Sequence, residues 1–156
     1  MATNKTLNTL ELMNGTDGCL FVEVDGVNVP MLELENYSIS ANFAGVDRQF
    51  VGDPVSKFVP TGVSFTLTLT ESMVRDDLII NPMLESIKQG KFPHYSFQGM
   101  VEKPDGQEQR IALNDVVPNG NFGLQNVTPG EILSREMNFA INTVPDFISS
   151  LVATYM

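Results

Sequence analysis

Few residues here have the types and spacing that chemistry requires. The one histidine, His94, follows Pro93, and no serine or cysteine stands at a nucleophile motif beside it. Nucleophilic catalysis needs a base within hydrogen-bond reach of the nucleophile, so His94 reads as a surface or packing residue. Cys19 opens an apolar run and reads as a small apolar filler. One cysteine and one histidine fall short of a zinc donor set. Asp76-Asp77 suits the charge of a helix N-terminus and lacks the spacing and glycine of a calcium loop. Gly120-Asn121-Phe122-Gly123 has no lysine and no strand-to-helix context for a phosphate loop. The sequons at Asn4, Asn14 and Asn126 read as chance matches, because the Asn/Thr-rich start has no signal-peptide pattern. No catalytic residue, metal ligand or cofactor is expected, which points to a protein whose work is shape and contact.

The chain is 156 residues long, 42% apolar and 18% charged, without tryptophan, and its length suits one domain with its own core. A single cysteine forms no internal bridge and fits assembly in a reducing compartment. Nineteen acids against nine bases give a net charge of -10, which excludes a protein that grips nucleic acid or an anionic membrane through its charge. No run approaches the ~18 apolar residues of a membrane span.

The elements that must position any surface are mostly strands. Residues 63–70 alternate perfectly, with Val63, Phe65, Leu67 and Leu69 on one face and Ser64, Thr66, Thr68 and Thr70 on the other. Residues 19–24 and 27–32 flank Asp25-Gly26, a pair suited to a type I′ hairpin turn. Alternation then slips phase at Glu35-Asn36, predicting a β-bulge, and resumes as Tyr37, Ile39, Ala41 and Phe43. Residues 44–62 lose the pattern and carry Gly45, Gly52, Pro54, Pro60 and Gly62, predicting a long inter-strand loop. One helix is predicted over 81–90, capped by Asn81, with Pro82 in its first turn, Met83, Leu84 and Ile87 on one face and Gly90 as its stop. Its start between Ser72 and Asn81 stays open. Strands follow at 94–101 and 107–113 around a Lys103-Pro104-Asp105-Gly106 turn, then a weaker segment at 116–127 and a last strand at 131–142. The tail, 146–156, reads as a short helix or a loose end. Together these predict a mainly β fold: a β-sandwich or barrel of antiparallel sheets with one short α-helix packed on its side.

The order of these pieces resembles the tail tube proteins of contractile phage tails, in the family found in prophages and phage-tail-like particles of Gram-positive bacteria. The resemblance is carried by Gly15-Thr16-Asp17-Gly18 leading into Leu20-Phe21-Val22, and by Pro60-Thr61-Gly62 opening the Thr-rich strand. It continues through Lys88-Gln89-Gly90, Tyr95-Ser96-Phe97-Gln98, Arg110-Ile111-Ala112-Leu113 with Asp115-Val116, and Glu136-Met137-Asn138-Phe139 ending near Pro145. It implies one tail tube domain over residues 1–156, with an N-terminal arm at 1–17. It implies stacked hexameric rings forming a hollow conduit for DNA, or a bacteriocin-type puncturing tube, inside a contractile sheath, located in the virion tail and assembled in the host cytoplasm. It also implies sheath, tape measure, baseplate and tail terminator proteins as partners, with DNA passing without specific binding.

Under that resemblance the expected lumen residues are Ser38, Ser40, Asn42, Ser64, Thr66, Thr68 and Thr70, and the alternative is that these face outside solvent. Tyr37, Ile39, Phe43, Val63, Phe65, Leu67 and Leu69 would form the subunit core. Arg48, Phe50, Val51, Lys57 and Phe58 of the long loop would grip an adjacent subunit or the next ring; Lys5 is a further N-terminal base. Competing readings are a tube of a non-contractile tail or secretion system, a carbohydrate-binding sandwich and a jelly-roll enzyme. The last two lack, respectively, the tryptophan and the clustered histidines or carboxylates they would use.

Overall fold

The computed structural model describes residue 6 and residues 9–153, the Leu10 side chain excepted. The described residues form β1 (Gly18–Val24), β2 (Val27–Pro30), β3 (Leu34–Arg48), β4 (Lys57–Ser72), α1 (Ile80–Lys88), β5 (Tyr95–Glu102), β6 (Glu108–Phe122), β7 (Ser134–Ile141) and β8 (Asp146–Ser149). All pairings are antiparallel, in the order β2-β1-β5-β6-β7-β4-β3, with β8 also beside β6.

The long strand β6 gives this sheet two layers. Its first half pairs with β5 and β8, its second half with β7. Between Leu113 and Val116 the register slips, and Asp115 takes a φ of 54°, a left-handed conformation that Asp tolerates better than most side chains. The sheet creases there and folds back on itself. Phe97 of β5 meets Phe139 of β7 with ring centroids 5.3 Å apart, and Phe139 also meets Phe122 edge-on. Leu20, Val22, Leu67, Leu69, Leu113, Val116 and Met137 fill the rest of the interior and are fully buried. Helix α1 adds Ile80 and Met83 to this core, and the Tyr95 hydroxyl donates to the Ile79 carbonyl at 2.9 Å. Burial pushes the Tyr95 phenol up to about 12.

Local expectations fare unevenly. Asp25 and Gly26 turn the first hairpin with φ of 51° and 80°. The bulge falls between Leu34 and Asn36. The helix begins at Ile80, within the interval left open, and its N-cap is Ile79 without a side-chain cap bond rather than Asn81. Its buried face is therefore Ile80 and Met83, while Leu84 and Ile87 are exposed. Gly90, at φ 77°, does end it. The expected loop at 44–62 is mostly strand: β3 runs to Arg48 and β4 starts at Lys57, which leaves 49–56 as the connection. Glycine and proline hid the strands because a bulge absorbs Thr61, with Gly45 opposite Pro60. The weak segment at 116–127 is in part the second half of β6, and the start of the tail is β8 rather than a helix. Residues 1–5, 7–8 and 154–156, with Lys5, most of the first sequon and parts of the expected arm and tail, lie outside the described residues.

Candidate functional site

Strands β3, β4 and β7 place the predicted polar residues on one face. The register sets Ser38 opposite Thr68, Ser40 opposite Thr66, Asn42 opposite Ser64 and Asn36 opposite Thr70. Thr68 is in turn opposite Asn138, and Thr70 opposite Glu136. Side chains link the strands: Asn42 donates to Thr66 (3.3 Å), Thr68 to Asn138 (3.1 Å), and the Asn138 amide to the Asn121 carbonyl (2.9 Å). Hydroxyls and amides bonded to each other present water with an uncharged surface. The only ionisable residue at these outward positions, from Asn36 to Asn42, Ser64 to Ser72 and Ser134 to Ala140, is Glu136.

The opposite face of β3 and β4 divides in two. Leu67 and Leu69 are fully buried, and Tyr37, Ile39 and Phe65 pack against the core. Phe43 and Val63, expected in the core, are 71% and 47% exposed. Beyond them the two strands continue as a hairpin arm that no other element of the sheet pairs with. Phe50, Val51, Val55, Phe58 and Val59 are exposed along it. Its close packing centres on Gly45, where a Cβ would come within 2.5 Å of the Phe58 ring. At the far end Arg48 stands opposite Lys57, and Lys57 reaches Asp53 at 3.4 Å.

Sequence reasoning missed two buried ionic joints. Arg135, whose side chain is 2% exposed, donates through Nε to Glu71 (2.7 Å) and through Nη2 to the Arg75 carbonyl (2.8 Å) and Asp76 (2.7 Å). Through Nη1 it donates to the Leu124 carbonyl at 3.2 Å. One guanidinium thus ties the chain before α1 to the chain before β7. Burial pushes the Glu71 carboxyl up; Arg135 opposes the shift and Glu33 adds to it. The second joint is Lys103, in the β5–β6 turn, which lies 3.8 Å from Glu11 and donates to the Val152 carbonyl at 3.0 Å. It fastens both ends of the described chain to one hairpin. Arg135 had a signal in the sequence, as a charge at an inward position of the Leu133, Met137, Phe139, Ile141 series. Lys103 had none.

The residues first weighed for chemistry stand apart. His94 is exposed and pairs with Asp115 at 2.6 Å. Cys19 is half-buried, and burial pushes its thiol up, away from the reactive thiolate.

Among curated proteins, none matches the chain by sequence. Solved structures do resemble it in fold. A chain of the sheath–tube complex of an extracellular contractile injection system, PVC, in its extended state superposes with a TM-score of 0.62 at 11% identity, covering 89% of this chain and 93% of that one. A chain of the anti-feeding prophage tube-terminating cap gives 0.59 at 12%, covering 96% and 95%. One from the virion of a native gene transfer agent gives 0.58 at 16%, covering 88% and 100%. A family model described as phage tail tube protein matches residues 5–147. With nearly the whole chain under that model, and with two-layered β architecture and one α-helix among the described residues, the protein belongs to the phage tail tube family.

Proposed function

We propose that copies of this chain form hexameric rings that stack into a hollow tube inside a contractile sheath, with the polar face of β3, β4 and β7 lining the channel. One observation carries the reading: β3 is a 15-residue edge strand, paired on one side only among the described residues, that runs into an arm with exposed aromatic side chains. Such an edge in a lone molecule invites indiscriminate pairing, and closing several copies into a barrel removes it. The second half of β6 ends the same layer on its other side, so a head-to-tail ring uses both margins.

The lining would be Ser38, Ser40, Asn42, Ser64, Thr66, Thr68 and Thr70. A basic channel would bind DNA by counterion release at each phosphate, so a hydroxyl-lined wall in an acidic protein lets the cargo slide. Six copies at -10 each sum to -60, and the ~8 Å Debye length at physiological salt limits the resulting repulsion between subunits. Arg48, Phe50, Val51, Lys57 and Phe58 on the arm would contact neighbouring copies. Sheath, terminator, tape measure and baseplate proteins would be the partners, in a particle assembled in the host cytoplasm, and the role is structural rather than catalytic.

Deleting residues 46–58 tests this. The expected product is a folded monomer, by circular dichroism and sedimentation, that forms no rods in negative-stain micrographs where the full chain does. Normal rods from the deletion would overturn the role given to the arm.

A further inference from the structure

The polar face carries its charges at its two ends, and they are opposite in sign. Along β3 the alternation from Ser38 to Arg48 is unbroken, because the extra residue of the bulge, Thr61, falls on β4. Arg48 and its partner Lys57 therefore stand on the same face as Ser38, Ser40 and Asn42. At the other end, Glu136 stands opposite Thr70, and Glu35 accepts a hydrogen bond from Ser72 Oγ at 3.1 Å on that face. All of these charged residues are exposed. Arg48 lies thirteen positions after Glu35, roughly 43 Å at about 3.3 Å per residue. Two cations placed opposite each other repel, and no acid among the described residues lies within ion-pair distance of Arg48. Asp47 alternates to the opposite face beside Phe58, and Asp53 is taken by Lys57. Nor does any described cation pair with Glu136 or Glu35.

We propose that a second copy supplies the partners that Arg48, Glu35 and Glu136 lack: Arg48, with Lys57 beside it, at the arm end of one subunit docks against Glu35 and Glu136 at the opposite end of a subunit in the next ring. The contact rests on the tube reading and adds to it a polarity. Head-to-tail stacking pairs opposite charges at every junction, whereas an inverted ring sets like against like, which complementary interfaces use to exclude wrong partners.

The test is a pair of charge-reversed chains. R48E/K57E makes both ends acidic, and E35K/E136K makes both ends basic. Each alone should form rings but raise the protein concentration needed for rods by more than about tenfold, since the lost pair repeats in every subunit of a junction. Mixing the two ring populations should restore rods, because each then meets its complement. Wild-type rod formation by either variant alone, or failure of the mixture when both variants form rings, would overturn the proposal. If a reversed chain does not fold by circular dichroism, R48Q/K57Q replaces the first, with rings retained and a raised rod threshold expected and an unchanged threshold refuting. Absence of both rings and rods in the unaltered chain would instead overturn the tube reading itself.

Discussion

Replacing Arg135 with methionine tests the joint at the end of the fold away from the arm. The side chains of Arg135 and Glu71 are 2% and 3% exposed, so the substitution leaves Glu71 buried without its cation. Breaking a buried pair in this way costs about 3–5 kcal/mol. At about 3 °C per kcal/mol for a chain of this length, the melting temperature should fall by about 10–15 °C at pH 7. The loss should depend on pH in a definite direction. A carboxyl raised by burial binds its proton more tightly in the folded chain, so its contribution favours the fold at acid pH. That contribution erodes as pH rises from the ordinary carboxylate range through the raised value. Without Arg135 the erosion steepens, and the deficit against the unaltered chain should be larger at pH 7 than at pH 5. Adding Glu71→Leu, which removes the stranded carboxylate, should recover most of the loss. Thermal melts followed by circular dichroism at both pH values give the answer. A loss below about 1 kcal/mol at pH 7, the scale of a surface pair, would refute the buried-charge account.

Other substitutions probe separate parts of the molecule. Leu67→Ala empties a fully buried position between the layers and should cost about 2–5 kcal/mol in a denaturant melt. Gly45→Val would drive its Cβ into the Phe58 ring and the Val59 carbonyl, so rod formation seen by microscopy should fail while the main thermal transition stays within about 0.5 kcal/mol of the original. Thr68→Arg places a cation in the proposed channel; rods should form and retain DNA at low salt, releasing it as salt rises, in a filter-binding assay. Lys103→Met should raise amide hydrogen exchange at Glu11 and Val152 together, since one ammonium holds both segments.

The sequence made the polar face legible because strand alternation has a strict period of two: it put Ser64 to Thr70 on one face of their strand and Ser38, Ser40 and Asn42 on one face of theirs, and the pairing that joins the two faces came from the structure. The Asp25-Gly26 turn and the Glu35 bulge were equally local. The arm was hidden because its strands contain Gly45, Pro60 and Gly62, which local patterning reads as loop and which a bulge accommodates. A different error placed Phe43 and Val63 in the core. Their alternation gives the face correctly but carries no information on where the covering layer ends. The helix cap was misassigned because Asn81 has the side chain of a cap, whereas the chain enters the helix at Ile79 and Ile80, which are held by burial. Lys103 was unreadable for a deeper reason: its partners lie 92 residues before it in Glu11 and 49 after it in Val152, and no periodicity links them.

The continuity of β6 through both layers bears on mechanics. A load on one layer passes to the other along one covalent backbone rather than across side chains that can slip. To shear the layers apart, a force must strip ladder bonds on both sides of the crease at Asp115. A wall built from these units would therefore stiffen as a laminate with a shared thread.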